Sequence, residues 1–225
     1  EHTDYSEGFV LPFAIDREVR VALARGRLVG SSLTDVDDLF VSDLVGGGGT
    51  AASRVVFRAD GTLLVTVGGA FGSLGGGRRA QDPSNTIGKL LRLNDDGTPP
   101  DDNPFVGTTG YLPEIYSMGH RNQLGLAFHP ETGDLYVSDS GEWGADNGRI
   151  YRIRRDGATQ LFSAAASQFT NGMCLSPDAS WLYVVESTMP GVSRIRVNDD
   201  GSAGERQIVA TLPDDTPDGV QFDAD

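Results

Sequence analysis

A repeated strand–turn–strand pattern is the feature of this 225-residue sequence that most restricts its fold. Four segments share the pattern, and they begin at Ser53, Leu124, Asn171 and Asp218. Each begins with small or polar residues, alternates between apolar and polar residues for about five positions and then reaches a turn. The first three segments continue into a second apolar run that contains LLV or LYV. Alternation on both sides of a turn is typical of a β-hairpin with one buried face.

The spacing of these segments predicts a β-propeller. Their starting residues are 71, 47 and 47 positions apart, and a unit of about 47 residues with four strands is the size of a propeller blade. The longer first step contains an insertion from Gly75 to Tyr116. Asp-Gly pairs at 96–97, 156–157 and 200–201 indicate outer hairpin turns, and 148–157 and 193–201 read as third strands. We therefore predict an all-β propeller, with no helix, as one domain over residues 1–225 that holds about five blades' worth of chain.

Charge and cysteine content exclude several classes of partner and site. A net charge of −14 disfavours nucleic acid and anionic membrane surfaces, because both are bound through positive faces. A single cysteine, Cys174, excludes a disulfide framework and a cysteine-based zinc site. No apolar run approaches the roughly 18 residues of a membrane helix. We expect a small-molecule ligand, with oligomeric state and compartment (cytoplasmic, secreted or periplasmic) left open.

Residues 131–225 resemble the SMP-30/gluconolactonase/LRE-like family of six-bladed propellers. The resemblance rests on SDSGEWGADNGRIYRI (138–153), FTNGMCLSPDASWLYVVEST (169–188) and LPDDTPDGVQFDAD (212–225). It implies a divalent ion on the propeller axis, calcium or else zinc or manganese, and a hydrolase that opens a sugar lactone or similar small ester. This metal-dependent lactonase is our main functional prediction.

The same resemblance implies a set of site residues. Asn171-Gly and Asp218-Gly occupy equivalent blade positions and match the family's metal-binding pairs, and Glu7-Gly8 is the comparable pair near the N-terminus. Asp218 is then a metal ligand and also the candidate catalytic base. From residue type alone, Asn-Gly and Asp-Gly read equally well as hairpin turns. Asp139, Glu186 and the pair Glu142-Trp143 follow inner strands and are further candidates for the mouth of the pocket.

Residues 53–130 instead resemble the soluble sugar dehydrogenases that use pyrroloquinoline quinone (PQQ) and calcium, which are also six-bladed propellers. The matching segments are SRVVFRADG (53–61), AQDPSNTIGKLLRLNDDGTPPDDNPF (80–105) and PEIYSMGHRNQLGLAFHPETG (113–133). Arg121 and Asn122 match the residues that contact the cofactor, and a guanidinium suits its carboxylates. Two positions depart from the family: Thr50 stands where the general-base histidine is expected, and 140–142 reads Ser-Gly-Glu where the calcium loop has Gln-Gly-Pro. A PQQ- and calcium-dependent aldose dehydrogenase is thus the first alternative, and a non-catalytic or engineered propeller scaffold is the second.

Overall fold

The computed structural model describes residues 20–45, 53–69, 76–120 and 122–223. Fourteen strands and one short helix occupy them. The strands are β1 (Ala22–Val29), β2 (Ser32–Val41), β3 (Val55–Phe57), β4 (Leu63–Val67), β5 (Lys89–Leu93), β6 (Ile115–Met118), β7 (Leu126–Phe128), β8 (Leu135–Asp139), β9 (Arg149–Ile153), β10 (Thr159–Ser163), β11 (Thr170–Leu175), β12 (Trp181–Glu186), β13 (Gly191–Val197) and β14 (Ala203–Thr211). The helix α1 spans Gly76–Gln81.

The strands form three four-stranded antiparallel sheets and one hairpin, which confirms the predicted propeller-type fold. The first blade is β3–β6, the second β7–β10 and the third β11–β14, each in chain order, and β1 pairs with β2 alone. β3, β7 and β11 begin the blades at the predicted repeat positions, and β9 and β13 are the predicted third strands. The described residues therefore contain three complete blades and a hairpin, whereas the repeat arithmetic predicted about five blades' worth of chain.

Hydrogen bonds between successive blades show that their first strands lie side by side. Ser138 Oγ accepts the Gly125 amide at 2.6 Å and donates to the Asn171 carbonyl at 3.2 Å. The Gly172 amide donates to the Asp218 carbonyl at 2.8 Å. Gly125 itself leaves no room for a side chain, because a Cβ there would lie 2.2 Å from the Asn171 carbonyl oxygen. The starts of the inner strands are thus held close together at one end of the fold.

Apolar side chains fill the spaces between the sheets, as alternating strands predict. One cluster packs the N-terminal hairpin against the first blade, a second joins the first and second blades, and a third joins the second and third blades. Tyr136 and Leu135 show the alternation: adjacent on β8, they belong to different clusters on opposite faces of the sheet.

The helix α1 corrects the expectation that the chain forms none. It lies in the insertion between β4 and β5, where Gly76 and Gly77 have a low intrinsic helix propensity. Tertiary contacts hold its end instead: the Ala80 carbonyl accepts the Gly119 amide at 3.0 Å and Lys89 Nζ at 3.0 Å. In the part of the chain that the structure describes, no helix is long and apolar enough to span a membrane.

Candidate functional site

A cleft of about 530 Å³ opens at the end of the fold where the inner strands begin. Three segments line it: the start of the second blade at Leu124, the start of the third blade at Asn171, and the chain that returns at Asp218. The other lining residues are Trp143, Phe169, Ser187, Thr216 and Pro217. This is the position where equivalent residues of successive blades converge, as the repeat predicts.

Asn171 is a buried residue with an unused acceptor in this cleft. Its side chain is 5% exposed, and its Nδ2 donates to Ser187 Oγ at 3.1 Å. Ser187 Oγ in turn donates to the Pro217 carbonyl at 2.7 Å, so the amide is fixed in orientation. Among the described residues nothing donates a hydrogen bond to Asn171 Oδ1. Since buried polar atoms in proteins are nearly always hydrogen-bonded, this oxygen is suited to a polar ligand, an ion or water.

Asp218 lies on the same cleft but is open to solvent. Its side chain is 75% exposed, and its carboxylate lies 3.9 Å from the Arg54 guanidinium. Asn171 and Asp218, which the sequence places at equivalent blade positions, both line the cleft. The third predicted ligand, Glu7, lies outside the described residues. Within the described ranges no group of three or more His, Cys, Asp or Glu side chains is placed to hold a metal ion, so the three-residue metal set stays a prediction.

The segment predicted to contact a cofactor borders the cleft next to Leu124. Arg121 lies outside the described residues, whereas Asn122 is 3% exposed and its carbonyl accepts Ser140 Oγ at 3.4 Å. Gln123 is fully buried, and neither its Oε1 nor its Nε2 has a hydrogen-bond partner in the described part of the chain. Sequence reasoning missed Gln123, although it lies in the same GHRNQLGL stretch as its two predicted neighbours.

His120, which precedes this segment, and Lys89 are two buried basic residues with several hydrogen bonds each. Lys89 is 0% exposed and its Nζ donates to three backbone carbonyls, those of Arg79, Ala80 and Ile87, while burial lowers its pKa to about 8. His120 is 2% exposed, its Nε2 is hydrogen-bonded to Ser117 Oγ at 2.9 Å, and its amide donates to the Gly88 carbonyl at 3.1 Å. Burial, helped by the charge of Lys89, lowers the pKa of His120 to about 4. His120 is therefore neutral at physiological pH and is a packed residue directly before Asn122 and Gln123 in the described part of the chain.

An aromatic pair forms one wall of the cleft. Trp143 is 62% exposed and makes an edge contact with Phe169, with ring centroids 4.8 Å apart. Phe169 is 5% exposed and has a φ of 55°, a left-handed conformation that a phenylalanine rarely adopts. The sequence placed Trp143 at the pocket mouth and missed Phe169, whose unusual backbone angle has no sequence signal.

The remaining pocket-mouth candidates have other positions. Glu186 is 0% exposed and is paired with Arg206, so it is a buried structural carboxylate and not a cleft residue. It also accepts the Gln168 amide at 3.2 Å. Asp139 and Glu142 do not line the cleft, although Trp143, the neighbour of Glu142, does.

These observations define a propeller-type fold with a cleft at the blade starts, and sequence comparison supplies the family. The profile of the Glucose / Sorbosone dehydrogenase family matches residues 9–158, and the chain belongs to that family. The lactone-hydrolase prediction is wrong, because the matched range includes residues 138–153, one of the three segments that carried the gluconolactonase resemblance. The role of Asp218 as the base of a lactonase falls with it. The resemblance of residues 53–130 to sugar dehydrogenases is confirmed.

Three curated relatives are similar to part of this chain. It is 38% identical over 134 residues to an uncharacterized protein of Synechocystis sp., covering 56% of this chain and 32% of that protein. It is 35% identical over 134 residues to an aldose sugar dehydrogenase of Escherichia coli K12 (58% of this chain, 35% of that protein). It is 48% identical over 61 residues to quinoprotein glucose dehydrogenase B of Acinetobacter calcoaceticus (27% and 12%). The chain spans about a third or less of the length of these relatives.

Solved structures agree on the fold. A putative oxidoreductase (glucose dehydrogenase) of Thermus thermophilus superposes with a TM-score of 0.76 at 24% identity, covering 97% of this chain and 70% of that one. The PQQ-bound aldose sugar dehydrogenase of Streptomyces coelicolor superposes with a TM-score of 0.63 at 20% identity, covering 96% and 67%.

Proposed function

We propose that this protein is a PQQ-dependent aldose dehydrogenase whose cofactor and sugar occupy the cleft at the blade starts. The observation that carries the proposal is the set of unpartnered polar atoms at this end of the fold. Gln123 Oε1, Gln123 Nε2 and Asn171 Oδ1 are three buried atoms that lack partners among the described residues, and all lie at or beside the starts of inner strands. Such atoms are costly unless a bound group or water satisfies them.

In this proposal the planar, anionic cofactor is held by residues 121–123, which directly precede Leu124 of the cleft lining. Arg121 and Asn122 match the cofactor-contacting residues of the resembled dehydrogenases. The partnerless Gln123 amide offers both a donor and an acceptor beside them. His120, which directly precedes this segment, is itself fixed by hydrogen bonds to Ser117 and to the Gly88 carbonyl. When bound, PQQ supplies the acceptor for the hydride that leaves C1 of the sugar.

The same cleft would supply part of the coordination shell of a calcium ion. Asn171 Oδ1 and the Asp218 carboxylate are hard oxygen donors on one cleft, as calcium prefers. Calcium takes about six to eight oxygens, so the cofactor, water or residues outside the described ranges would complete the shell. The family's Gln-Gly-Pro calcium loop reads Ser-Gly-Glu here at 140–142, which makes an alternative source of oxygens necessary.

The sugar's O1 proton also needs an acceptor, because Thr50 stands in the place of the expected histidine and a hydroxyl is a poor base near neutral pH. Asp218 is the only carboxylate among the described residues that line the cleft. In this proposal the Asp218 carboxylate would accept the O1 proton while a bound cofactor would take up the C1 hydride, so that C1 would become a carbonyl carbon. The sugar is thereby oxidised by two electrons.

Titration of PQQ into the purified protein, with calcium and then with EGTA, tests this function. We expect saturable binding in calcium, weakened about fivefold in Asn122→Ala, because one buried hydrogen bond is worth about 1 kcal/mol. Asn198→Ala is the matched control, because Asn198 lies in the β13–β14 turn and makes its side-chain bond to Ser202 there. Absence of PQQ binding in the wild-type protein would contradict the proposal.

A further inference from the structure

We infer that Trp143 is the platform on which a pyranose ring stacks, and that it sets the substrate preference of the cleft. The inference rests on the proposed function, because it names the part of the same cleft that receives the sugar. It also has consequences of its own, since a stacking platform binds its ligand whether or not a redox cofactor is present.

The exposure of Trp143 is unusual for a residue that is held so firmly. A tryptophan with 62% of its surface in water gains little from burial, yet it lies on a loop fixed at several points. The Glu142 amide donates to Asn147 Oδ1 at 2.8 Å, and the Ala145 amide donates to the Glu142 carbonyl at 3.1 Å. Gly141 has a φ of 71°, and a Cβ there would lie 2.2 Å from Asn147 Oδ1. These contacts fix the loop backbone, and Trp143 of this loop lines the cleft.

Phe169 packs against the Trp143 indole, and its own backbone conformation is strained. Its ring meets the indole edge to face at 4.8 Å and 66°, an arrangement that aromatic pairs favour. Its backbone is at a φ of 55°, and its carbonyl is held by the Ser187 amide at 3.2 Å. A phenylalanine in this conformation is strained, and such strain is concentrated at ligand-binding sites. The exposed Trp143 and the strained Phe169 thus form one wall of the cleft.

Polar atoms line another part of the same cleft. Asn171 Oδ1 is buried and without a donor among the described residues, and Asp218 contributes an exposed carboxylate. A ligand matched to this cleft has an apolar face for the indole and O–H donors along its edge. A pyranose has this chemistry, because axial C–H groups cover one face and hydroxyls surround the rim. The hydroxyls then meet the two oxygens directly or share with them a calcium ion.

The loop that carries Trp143 is also where the chain departs from the dehydrogenases it resembles. Residues 140–142 read Ser-Gly-Glu in place of Gln-Gly-Pro, and Trp143 follows at once. The segment that departs from the family's calcium loop is thus followed directly by an aromatic residue that lines the cleft. We therefore assign to this loop the choice among sugars, which makes Trp143 a specificity-determining residue.

Fluorescence of Trp143 reports on its own ligand. The chain has two tryptophans, and Trp181 lies elsewhere, with the guanidinium carbon of Arg194 4.2 Å from its ring centroid. In Trp181→Phe, Trp143 is the only tryptophan, and titration with D-glucose without PQQ should change its emission saturably. D-sorbitol is the matched control ligand, because it has the hydroxyls but no ring face. An equal response to both ligands, or none to glucose, would overturn the inference.

Saturation-transfer NMR measures glucose binding without relying on tryptophan. We expect Trp143→Leu to weaken glucose binding about fivefold and Trp143→Phe to restore part of the loss, since stacking on an aromatic ring contributes about 1 kcal/mol. Asn171→Ala should also weaken binding, whereas Asn198→Ala should not. Unchanged binding in Trp143→Leu would refute the platform. Binding in EGTA indicates direct recognition by the two oxygens, binding only in calcium indicates a shared ion, and binding in neither condition overturns the inference.

The cofactor titration and the sugar titration have independent outcomes. Glucose binding at Trp143 without any PQQ binding would leave the platform intact and remove the dehydrogenase proposal. PQQ binding with no sugar response at Trp143 would remove the stacking platform and leave the dehydrogenase proposal intact.

Discussion

Acid should destabilise this protein through His120 before it protonates most carboxylates. His120 is 2% exposed, its pKa is lowered from 6.5 to about 4 by burial, and in the unfolded chain the imidazole regains its ordinary value. Between these two values the unfolded state binds a proton that the native state does not. The contribution of neutral His120 to the free energy of unfolding is therefore fully present above about pH 6.5 and is lost as the pH falls toward 4.

The two pKa values give the size of the effect. Relative to pH 8, His120 alone should cost about 2 kcal/mol of unfolding free energy at pH 5 and about 3 kcal/mol at pH 4. The variant His120→Gln removes the titration and retains an amide that can hydrogen-bond to Ser117. Urea unfolding of both proteins at pH 8, 6.5 and 5 isolates the group, because other titrating residues contribute equally to both.

The expected result is that the difference in stability between wild type and His120→Gln shrinks or reverses by about 2 kcal/mol from pH 8 to pH 5. A difference that stays constant over this range would refute a neutral, buried His120. It would also remove the argument that this residue is packed directly before the proposed cofactor segment.

Two further substitutions test the packing of the blades by urea unfolding. Arg206→Met should lower the free energy of unfolding by about 3 kcal/mol, because it leaves the fully buried Glu186 carboxylate without its cation. Arg154→Met, at an exposed ion pair, is the control and should change the free energy of unfolding little. Equal losses in the two variants would contradict the burial of the Glu186–Arg206 pair. Gly88→Ala should cost about 2–5 kcal/mol, since its φ is +67° and a Cβ would lie 2.2 Å from a backbone carbonyl oxygen. Gly61→Ala, with a φ of +83° and open space, should cost only about 1 kcal/mol of strain, and a similar loss at both glycines would argue against the close approach at Gly88.

The blades were predictable because strand periodicity and turn chemistry are local properties. The Asp-Gly pairs at 156–157 and 200–201 connect β9 to β10 and β13 to β14, and both glycines have positive φ, as these turns require. The helix α1 was not predictable from its sequence GGRRAQ, because the contacts that hold it come from Lys89 and Gly119. Its existence is a tertiary effect.

The site was predictable only in part, for a similar reason. Recurrence at one blade position placed Asn171 and Asp218 on a common cleft, since the fold repeats geometry along with sequence. The same two dipeptides led to the wrong enzyme class, because an Asn-Gly or Asp-Gly pair is a structural motif in many propellers and carries little chemistry of its own. Glu186 was misjudged because its partner Arg206 lies 20 residues away, and only the folded sheet brings the two side chains together.

The central claim is that this cleft couples a bound PQQ to the oxidation of a sugar. Anaerobic addition of D-glucose to the protein loaded with PQQ and calcium, followed by absorption spectroscopy, tests it most directly. The account predicts that the spectrum of the bound cofactor changes to that of its reduced form in wild type, and much more slowly in Asp218→Asn. An unchanged spectrum in the wild-type protein, with PQQ shown to be bound, would contradict it.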